Sequence, residues 1–336
     1  MVLGLLGMAA LAGPPSRHCA AEIAAGAGVE FPPTDSLANG KHIVFIAGDE
    51  EYRSEESMPQ LAKILAVHHG FRGTVLFSQH PQTGDIDPSI LNNIPGLEVL
   101  QRADLIVMFT RFLALPDDQM RHLVHYTESG KPIIGVRTAT HAFRYDPPGT
   151  SPYAKWSYNS ADPPGGWGRL VLGETWIRHY GDHGRESTRG VIADDMREHP
   201  IVRGCEDIWG PSDVYGLTTL PETCQPLIMG QVLKGMNPTD VPNPDKPAIP
   251  VAWTNRLRTD SGREARVFAT TMGHGDDFRS EGFRRLLVNA CYWCLEMETK
   301  IPPQSCVDLV GEYPNVPSVF GKYRRGVKPA DHSLTR

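Results

Sequence analysis

The sequence predicts an α/β protein with a three-layer, doubly wound and mostly parallel sheet. Short apolar runs typical of buried strands alternate with segments typical of helices. Three of these runs, at His42 to Ala47, Pro132 to Val136 and Ala265 to Thr271, are each followed by a loop rich in charged or imidazole side chains. Because ligands of open α/β sheets bind beyond the carboxyl ends of parallel strands, these loops predict a functional site at one sheet edge.

The elements can be assigned in chain order. After the first strand, a helix is predicted from the capping-box pair Ser57 and Gln60 to the stop signal Gly70. Further strands are predicted at 74–77, 105–109 and 132–136, and a second helix at about 116–130. The second half predicts strands around residue 191 and at 227–232, 249–253 and 267–271, then a long helix to about residue 298.

Length and composition describe an ordinary globular protein. The chain has 336 residues, of which 40% are hydrophobic and 21% charged, so a sizeable core is expected. A formal net charge of -6 gives no basic field to recruit nucleic acid, and we expect no such partner. A homo-oligomer is left open. We predict a signal peptide at 1–21, a linker at 22–39, an α/β domain at 40–299 and an extended Pro-rich tail at 300–336.

The first residues predict export to the periplasm or the extracellular space. Val2 to Gly13 form an apolar stretch too short for a stable membrane anchor, and Cys19-Ala20-Ala21 offers a small-x-small cleavage site before Glu22. The absence of Lys or Arg before the apolar stretch departs from the usual signal pattern. No other run is long and apolar enough to predict a membrane span.

Five cysteines would remain after cleavage, and an odd number in an oxidising compartment leaves at least one thiol free. Cys291 and Cys294 form a C-x-x-C pair, which is compatible with metal or redox chemistry. Their register with Phe283, Leu287 and Ala290 on the apolar face of the last helix favours buried structural side chains instead.

A Gly/Pro-rich insertion at 145–189 carries six large aromatic residues: Tyr145, Tyr153, Trp156, Tyr158, Trp167 and Trp176. Aromatic faces suit the apolar C–H groups of sugar rings, so the insertion is compatible with a lid over a carbohydrate. A loop of this length could equally use its aromatic residues to build a small core of its own. The sequence leaves both interpretations open.

Histidines raise the question of a metal. His179 and His183 have the i, i+4 spacing of a helical metal-ligand pair, and His141 and His274 could join them from the sheet edge. Against this, glycines make the segment a poor helix and no zinc-type motif supports it. A divalent metal is therefore left open, no residue is assigned as a metal ligand, and no nucleotide cofactor is expected.

Four motifs together resemble the ThuA-like family, which is named for trehalose utilisation. They are "GDEEYRSEES", "GKPIIGVRTATHAF", "EHPIVRG" and "ARVFATTMGHGDDF", the last followed by a helix ending "YWCLEM". The motifs stand in the family's order, and the resemblance covers about residues 40–298. It implies a flavodoxin-like fold similar to class I glutamine amidotransferases.

The resemblance also marks one substitution. In the amidotransferases the turn after the corresponding strand holds a nucleophilic cysteine, and many ThuA-like proteins have histidine there, whereas this chain has Arg137. A guanidinium stays protonated and offers no lone pair, which excludes glutaminase chemistry at that turn. It would be a fixed cation, near a helix N-terminus if the amidotransferase topology holds, and would favour an anion. The segment Asp213-Val214-Tyr215 also departs from the family pattern.

The family's association with sugar utilisation implies chemistry on (3-keto) glycosides, by removal of a proton beside the ketone and then elimination or hydration. The residues assigned to catalysis are His274 or His141 as base and Arg137 as oxyanion stabiliser. The residues assigned to substrate binding are Asp49, Glu50, Arg53, Arg111, Trp176 and His179. An ion pair between Glu50 and Arg53 that holds the loop is an open alternative.

Two other functional classes remain open. A non-catalytic carbohydrate-binding protein would use the same sheet edge and the aromatic insertion without needing His274. A metal-dependent hydrolase would require a bound divalent ion such as zinc or manganese.

Overall fold

The computed structural model describes residues 23–334 except 147, 148, 150 and 315–317, so the predicted signal peptide lies outside the described residues. The three α-helices of the described residues are α1 (Ser54–His69), α2 (Asp117–Glu128) and α3 (Glu281–Cys294). The strands of the first half are β1 (Gly28–Phe31), β2 (His42–Gly48), β3 (Arg72–Phe77), β4 (Leu105–Thr110) and β5 (Ile133–Val136). The later strands are β6 (Arg178–His179), β7 (Thr188–Ile192), β8 (Trp209–Gly210), β9 (Tyr215–Gly216), β10 (Gln225–Val232), β11 (Ile249–Arg258) and β12 (Glu264–Thr270).

The main sheet has the strand order β1-β3-β2-β4-β5-β12-β11-β10-β7-β8. Its central strands β3, β2, β4, β5 and β12 are parallel, in the flavodoxin-like order in which the chain switches direction between β2 and β4. This confirms the predicted α/β fold with a doubly wound, parallel centre. Antiparallel strands extend the sheet at both ends, and β6 pairs separately with β9.

The sheet separates two hydrophobic cores, which confirms the three layers. Along β2, alternate side chains enter different cores: Phe45 joins the core that contains Leu61 of α1 and Leu287 of α3, while Ile46 joins the core that contains Leu123 of α2. Since successive residues of a strand point to opposite faces, the continuous apolar run of β2 is what a strand covered on both faces requires.

The first helix begins earlier than predicted. α1 starts at Ser54, with Arg53 in the left-handed conformation (φ 62°) at its N-cap, so the prediction of a capping box at Ser57 was wrong. The Ser57 hydroxyl instead donates to the Arg53 carbonyl oxygen inside the first turn. The predicted stop is confirmed, because Gly70 caps the C-terminus with a positive φ of 71°. α3 ends at Cys294, short of the predicted residue 298.

The five described cysteines are free thiols. Cys291 and Cys294 are buried in α3, and burial raises the pKa of both thiols, so they act as small apolar side chains. This confirms the structural interpretation of the C-x-x-C pair. In the described part of the chain, no helix is both long enough and apolar enough to cross a bilayer.

Candidate functional site

The carboxyl ends of three neighbouring parallel strands carry unusual backbone conformations. Arg53 follows β2, Phe112 follows β4 and Arg137 follows β5, with φ of 62°, 52° and 50°. Among the described residues, these are three of the five non-glycine residues with positive φ. Such conformations cost roughly 1–3 kcal/mol each and are concentrated at functional sites. The backbone therefore indicates the same sheet edge as the sequence.

Asp49 joins two of the loops at this edge. It is completely buried, and its Oδ1 accepts a hydrogen bond from the backbone N–H of Glu51 at 2.8 Å. Its Oδ2 accepts from the hydroxyl of Thr138 at 2.6 Å. Burial raises the pKa of Asp49. The carboxylate thus holds the loop after β2 against the turn after β5, and its side chain does not line the surface.

Arg53 has an equally internal position. Its side chain is 1% exposed; Nη1 donates to Glu55 at 2.8 Å and Nη2 to the carbonyl oxygen of Val319 at 2.7 Å. The ion pair that the sequence suggested between Glu50 and Arg53 is therefore not formed. Arg53 pairs with Glu55 instead, because the left-handed turn at Arg53 brings its guanidinium beside the first turn of α1.

Glu50 pairs instead with Arg111, at the point where the chain switches direction between β2 and β4. Arg111 donates to Glu50 Oε1, lies 3.6 Å from Glu51 Oε2, and stacks on the Phe112 ring at 4.5 Å. Glu50 Oε2 is buried and has no hydrogen-bond partner within the described chain. Burial and the neighbouring Asp49 raise the pKa of Glu50 to about 7 in spite of Arg111. This carboxyl group can exchange a proton near neutral pH.

Arg137 lies in the interior. It is 0% exposed, donates through Nη2 to Asp213 Oδ1 at 2.7 Å, and donates through Nη1 to the carbonyl oxygens of Asp213 and Thr271. The rings of Tyr215 and Tyr52 lie 3.8 and 4.6 Å from its guanidinium carbon. Arg137 is the first residue of a five-residue 3-10 helix, Arg137–His141, so it does lie at a helix N-terminus, although the helix is short. Arg137 has no surface open to a ligand.

His141 is surrounded by aromatic rings. Its own ring is 3% exposed, and the centroids of four rings lie 5.2–6.0 Å away. We call these four residues the aromatic wall: Phe112, Tyr158, Trp176 and Tyr215. Burial lowers the pKa of His141 well below its usual value, with Arg111 adding to the effect, so the imidazole is neutral at neutral pH.

The aromatic insertion divides between the two roles that the sequence left open. Trp167 is 1% exposed, packs edge-on against Phe143 and donates to the Thr127 hydroxyl at 3.2 Å, so it belongs to a core. Tyr158 and Trp176 are partly exposed and form part of the aromatic wall. One half of the insertion therefore builds structure, and the other half presents rings at the sheet edge.

His274 caps a short helix. Its Nδ1 accepts a hydrogen bond from the backbone N–H of Asp276 at 3.0 Å, while the carboxylate of Asp277 accepts from the backbone N–H of His274. Burial lowers the pKa of the imidazole. With Nδ1 engaged as an acceptor, the neutral ring carries its proton on Nε2 and can donate a hydrogen bond from that atom.

His179, His183 and Asp213 form a compact cluster. His179 Nδ1 lies 2.7 Å from Asp213 Oδ2, and His183 Nδ1 lies 3.0 Å from Asp213 Oδ1. The two histidines are exposed and the carboxylate is buried. Hydrogen bonds to Asp213 and Glu51 raise the pKa of His183 to about 9. Burial alone would raise the pKa of Asp213, but Arg137 and the histidines hold it well below its usual range.

The two histidines meet through a turn rather than a helix, as their glycine-rich setting suggested. His179 lies in β6, whose partner β9 contains Tyr215 and so brings Asp213 alongside. His141 and His274, which the sequence offered as companions, are not members of the cluster. Asp213 was not predicted as a site residue, although its unusual Asp-Val-Tyr context was the available signal.

Comparison with known proteins assigns the family. The model for trehalose utilisation proteins, ThuA, matches residues 42–294. The chain belongs to the ThuA family. The ThuA-like protein from Bacteroides uniformis has 18% sequence identity and a TM-score of 0.50, over 81% of this chain and 98% of that chain. Together with the strand order, this confirms the ThuA-like α/β fold.

Two further solved structures are similar to this ThuA-family chain. The ThuA-like protein from Parabacteroides merdae has 15% identity and a TM-score of 0.47, over 84% of this chain and 97% of that chain. PurLQS from Thermotoga maritima has 11% identity and a TM-score of 0.34, over 75% and 99%. No curated protein matches the chain.

Proposed function

We propose that this ThuA-family protein binds a glycoside at the carboxyl ends of β2, β4 and β5 and acts in carbohydrate utilisation. The family name supports the substrate class. The observation that carries the proposal is the partly exposed Glu50–Arg111 pair lying beside the aromatic wall through the stacking of Arg111 on Phe112. Such a surface suits a sugar, because the rings cover its C–H groups while the charged groups bind its hydroxyls.

The reaction class is elimination or hydration of a 3-keto glycoside. A ketone at C3 acidifies the hydrogen on C2; a base takes this proton, the C2 electron pair forms the enolate, and the C1–O bond then breaks with its electrons leaving on oxygen. Addition of water across the resulting double bond gives the hydrated product. The protein must supply a base near C2 and a donor near the C3 oxygen.

Glu50 is the proton acceptor in this proposal. Arg111 holds one of its carboxylate oxygens, and the other is buried without a protein partner within the described chain. The imidazole N–H of His274 is suited to the developing oxyanion, because its Nδ1 is already an acceptor. His141 is neutral and only 3% exposed, so it packs against the rings of the aromatic wall rather than contacting the sugar. Arg137 positions Asp213 and Tyr215 rather than contacting the sugar.

A second candidate is carbohydrate binding without catalysis. The observation that favours it is the burial of Arg137 at the turn where amidotransferases hold their nucleophile. Such a protein would need the aromatic wall but no proton-transfer group at Glu50.

Incubation of the purified protein with 3-keto and ordinary disaccharides, followed by mass spectrometry, separates the candidates. The enzyme should convert the 3-keto substrate, and Glu50→Gln should abolish conversion while retaining sugar affinity. Binding of the sugar by the parent protein with no product would support the binding protein. Neither binding nor conversion of any sugar offered would contradict both.

Export is part of the proposal and rests on the sequence of the first 22 residues. Protein recovered from its host should have a mature N-terminus near Glu22, as determined by N-terminal sequencing. Intact chains that begin at Met1 in the cytosol would contradict export.

A further inference from the structure

We propose that His179, His183 and Asp213 form a binding site for one divalent transition-metal ion. Each residue offers one ligand atom, and these atoms all lie within 4.8 Å of one another. Two imidazole nitrogens and one carboxylate oxygen are a donor set that suits zinc and its first-row neighbours, and calcium or magnesium much less.

Movement of the exposed imidazoles would close the cluster round one ion. Metal bonds of about 2.0–2.1 Å in a tetrahedral arrangement separate neighbouring ligand atoms by roughly 3.3 Å. The observed separations are 2.7 Å from His179 Nδ1 to Asp213 Oδ2 and 3.0 Å from His183 Nδ1 to Asp213 Oδ1. Both imidazoles are exposed and can shift to bring one nitrogen each round a single ion, whereas the carboxylate is buried.

Further contacts orient the ligands as in known metal sites. Glu51 Oε1 lies 3.4 Å from His183 Nε2, so a carboxylate holds the far nitrogen of that ring while Nδ1 faces Asp213. Arg137 donates to Asp213 Oδ1 at 2.7 Å and fixes the carboxylate. Partners of this kind set the ring orientation of metal-bound histidine, and their loss typically lowers metal affinity by about 10–100-fold.

The position of the cluster would leave a bound ion accessible to a further ligand. Three protein ligands leave at least one coordination position free, which is characteristic of catalytic rather than structural metal sites. The His179 ring lies 5.8 Å from Trp176 and 5.7 Å from Tyr215, both in the aromatic wall. A bound ion would act there as a Lewis acid on a carbonyl or hydroxyl oxygen.

Titration of the full, untagged, metal-stripped chain with zinc chloride tests the site without any sugar, so the result is independent of the proposed function. We expect one saturable ion per chain. His179→Ala and His183→Ala should each weaken zinc binding by more than tenfold, and Glu51→Gln by about 10–100-fold. His125→Ala is the matched control, because His125 is an exposed histidine on α2 outside the cluster.

Cobalt(II) provides a second readout, because coordination by nitrogen and oxygen ligands in a low-coordinate site gives visible d–d absorption. The parent protein and His125→Ala should show this absorption, and the two cluster variants should lose it while remaining folded by circular dichroism. The proposal is overturned if the folded parent binds no zinc saturably, or if His125→Ala weakens binding as much as His179→Ala and His183→Ala.

Discussion

Arg137 shows how burial decides between two roles for the same side chain. Its guanidinium is paired with Asp213 and enclosed by Tyr52 and Tyr215. Arg137→Met leaves a buried carboxylate without its cation, and we expect a loss of about 3–5 kcal/mol in the free energy of unfolding. Chemical denaturation measures this loss.

Arg144→Met is the matched control for that experiment. Arg144 pairs with Asp146 at the surface, where both side chains are exposed, so its loss should cost less than about 1 kcal/mol. A stable Arg137→Met protein with turnover lowered by ~10²–10³ would instead support direct oxyanion stabilisation and contradict the structural role.

Glu50 gives the site its expected pH dependence. Burial raises the pKa of Glu50 from its ordinary 4.5 to about 7, and a base must be deprotonated to act. We therefore expect kcat/KM on the 3-keto substrate to rise with pH to a plateau above about 7. Since the folded pKa is raised, the stabilisation from proton binding is complete below 4.5 and is lost as pH rises through about 7. Glu50→Gln should remove the rise in kcat/KM and the share of the pH-dependent stability that Glu50 contributes.

Glu55→Gln is the matched control, because burial also raises the pKa of Glu55 to about 7 while its carboxylate pairs with Arg53 inside α1. That variant should change the pH dependence of stability but keep the rise in kcat/KM. A pH–rate profile unchanged in Glu50→Gln would exclude Glu50 as the base.

At the scale of single elements, the sequence predicted the strands of the parallel centre and the loops that follow them. This succeeded because a strand covered on both faces is a continuous apolar run and its charged loop is conspicuous. The orientation of loop side chains could not be predicted. Asp49 and Arg137 turn inwards to hydrogen-bond with Thr138 and Asp213. These partners are 89 and 76 positions away in sequence, so local patterns do not indicate them.

The insertion offers two tryptophans with opposite expected effects. Trp167→Ala opens a cavity against Phe143 and should cost about 3–5 kcal/mol of stability. Trp176→Ala removes a partly exposed ring of the aromatic wall and should weaken sugar binding with a much smaller change in unfolding free energy. Calorimetric titration with the sugar and chemical denaturation measure the two quantities.

Equal effects of the two changes on sugar affinity, after correction for the folded fraction, would contradict the division of the insertion. Trp156→Ala serves as a further control, since Trp156 is buried with Trp167 in the same core. Like Trp167→Ala, Trp156→Ala should lower the free energy of unfolding.

At the scale of the whole molecule, the antiparallel part of the sheet and its connections contribute Asp213 and Tyr215 to the site. The sequence predicted β10 and β11 as strands. Parallel and antiparallel strands have similar apolar runs, so their antiparallel pairing was not predicted. The segment between β8 and β10 carries Asp213 and Tyr215 back to the parallel edge. A site divided between two halves of the chain depends on this long-range packing, which local patterns do not record.

The C-terminal tail belongs to the same packing, in two parts. Residues 301–314 satisfy buried groups of α3: Arg284 donates to the carbonyl oxygen of Val307 at 2.7 Å, and Ser305 donates to the Asn289 side chain at 2.8 Å. Residues 318–334 reach the site loops, where Val319 accepts from Arg53 and Phe320 lies 5.0 Å from the Arg111 guanidinium.

Two truncations should therefore behave differently. A chain ending at residue 300 loses the tail partners of the buried Arg284, Arg285 and Asn289, at roughly 1–3 kcal/mol for each lost bond, and we expect it to be unfolded or insoluble. A chain ending at residue 314 keeps those partners and should stay folded, with a lower melting temperature and altered sugar affinity because Arg53 and Arg111 lose their tail contacts. Circular dichroism melting and sugar titration measure both results. Full-length stability in the chain that ends at residue 300 would show that the tail is an appendage rather than part of the fold.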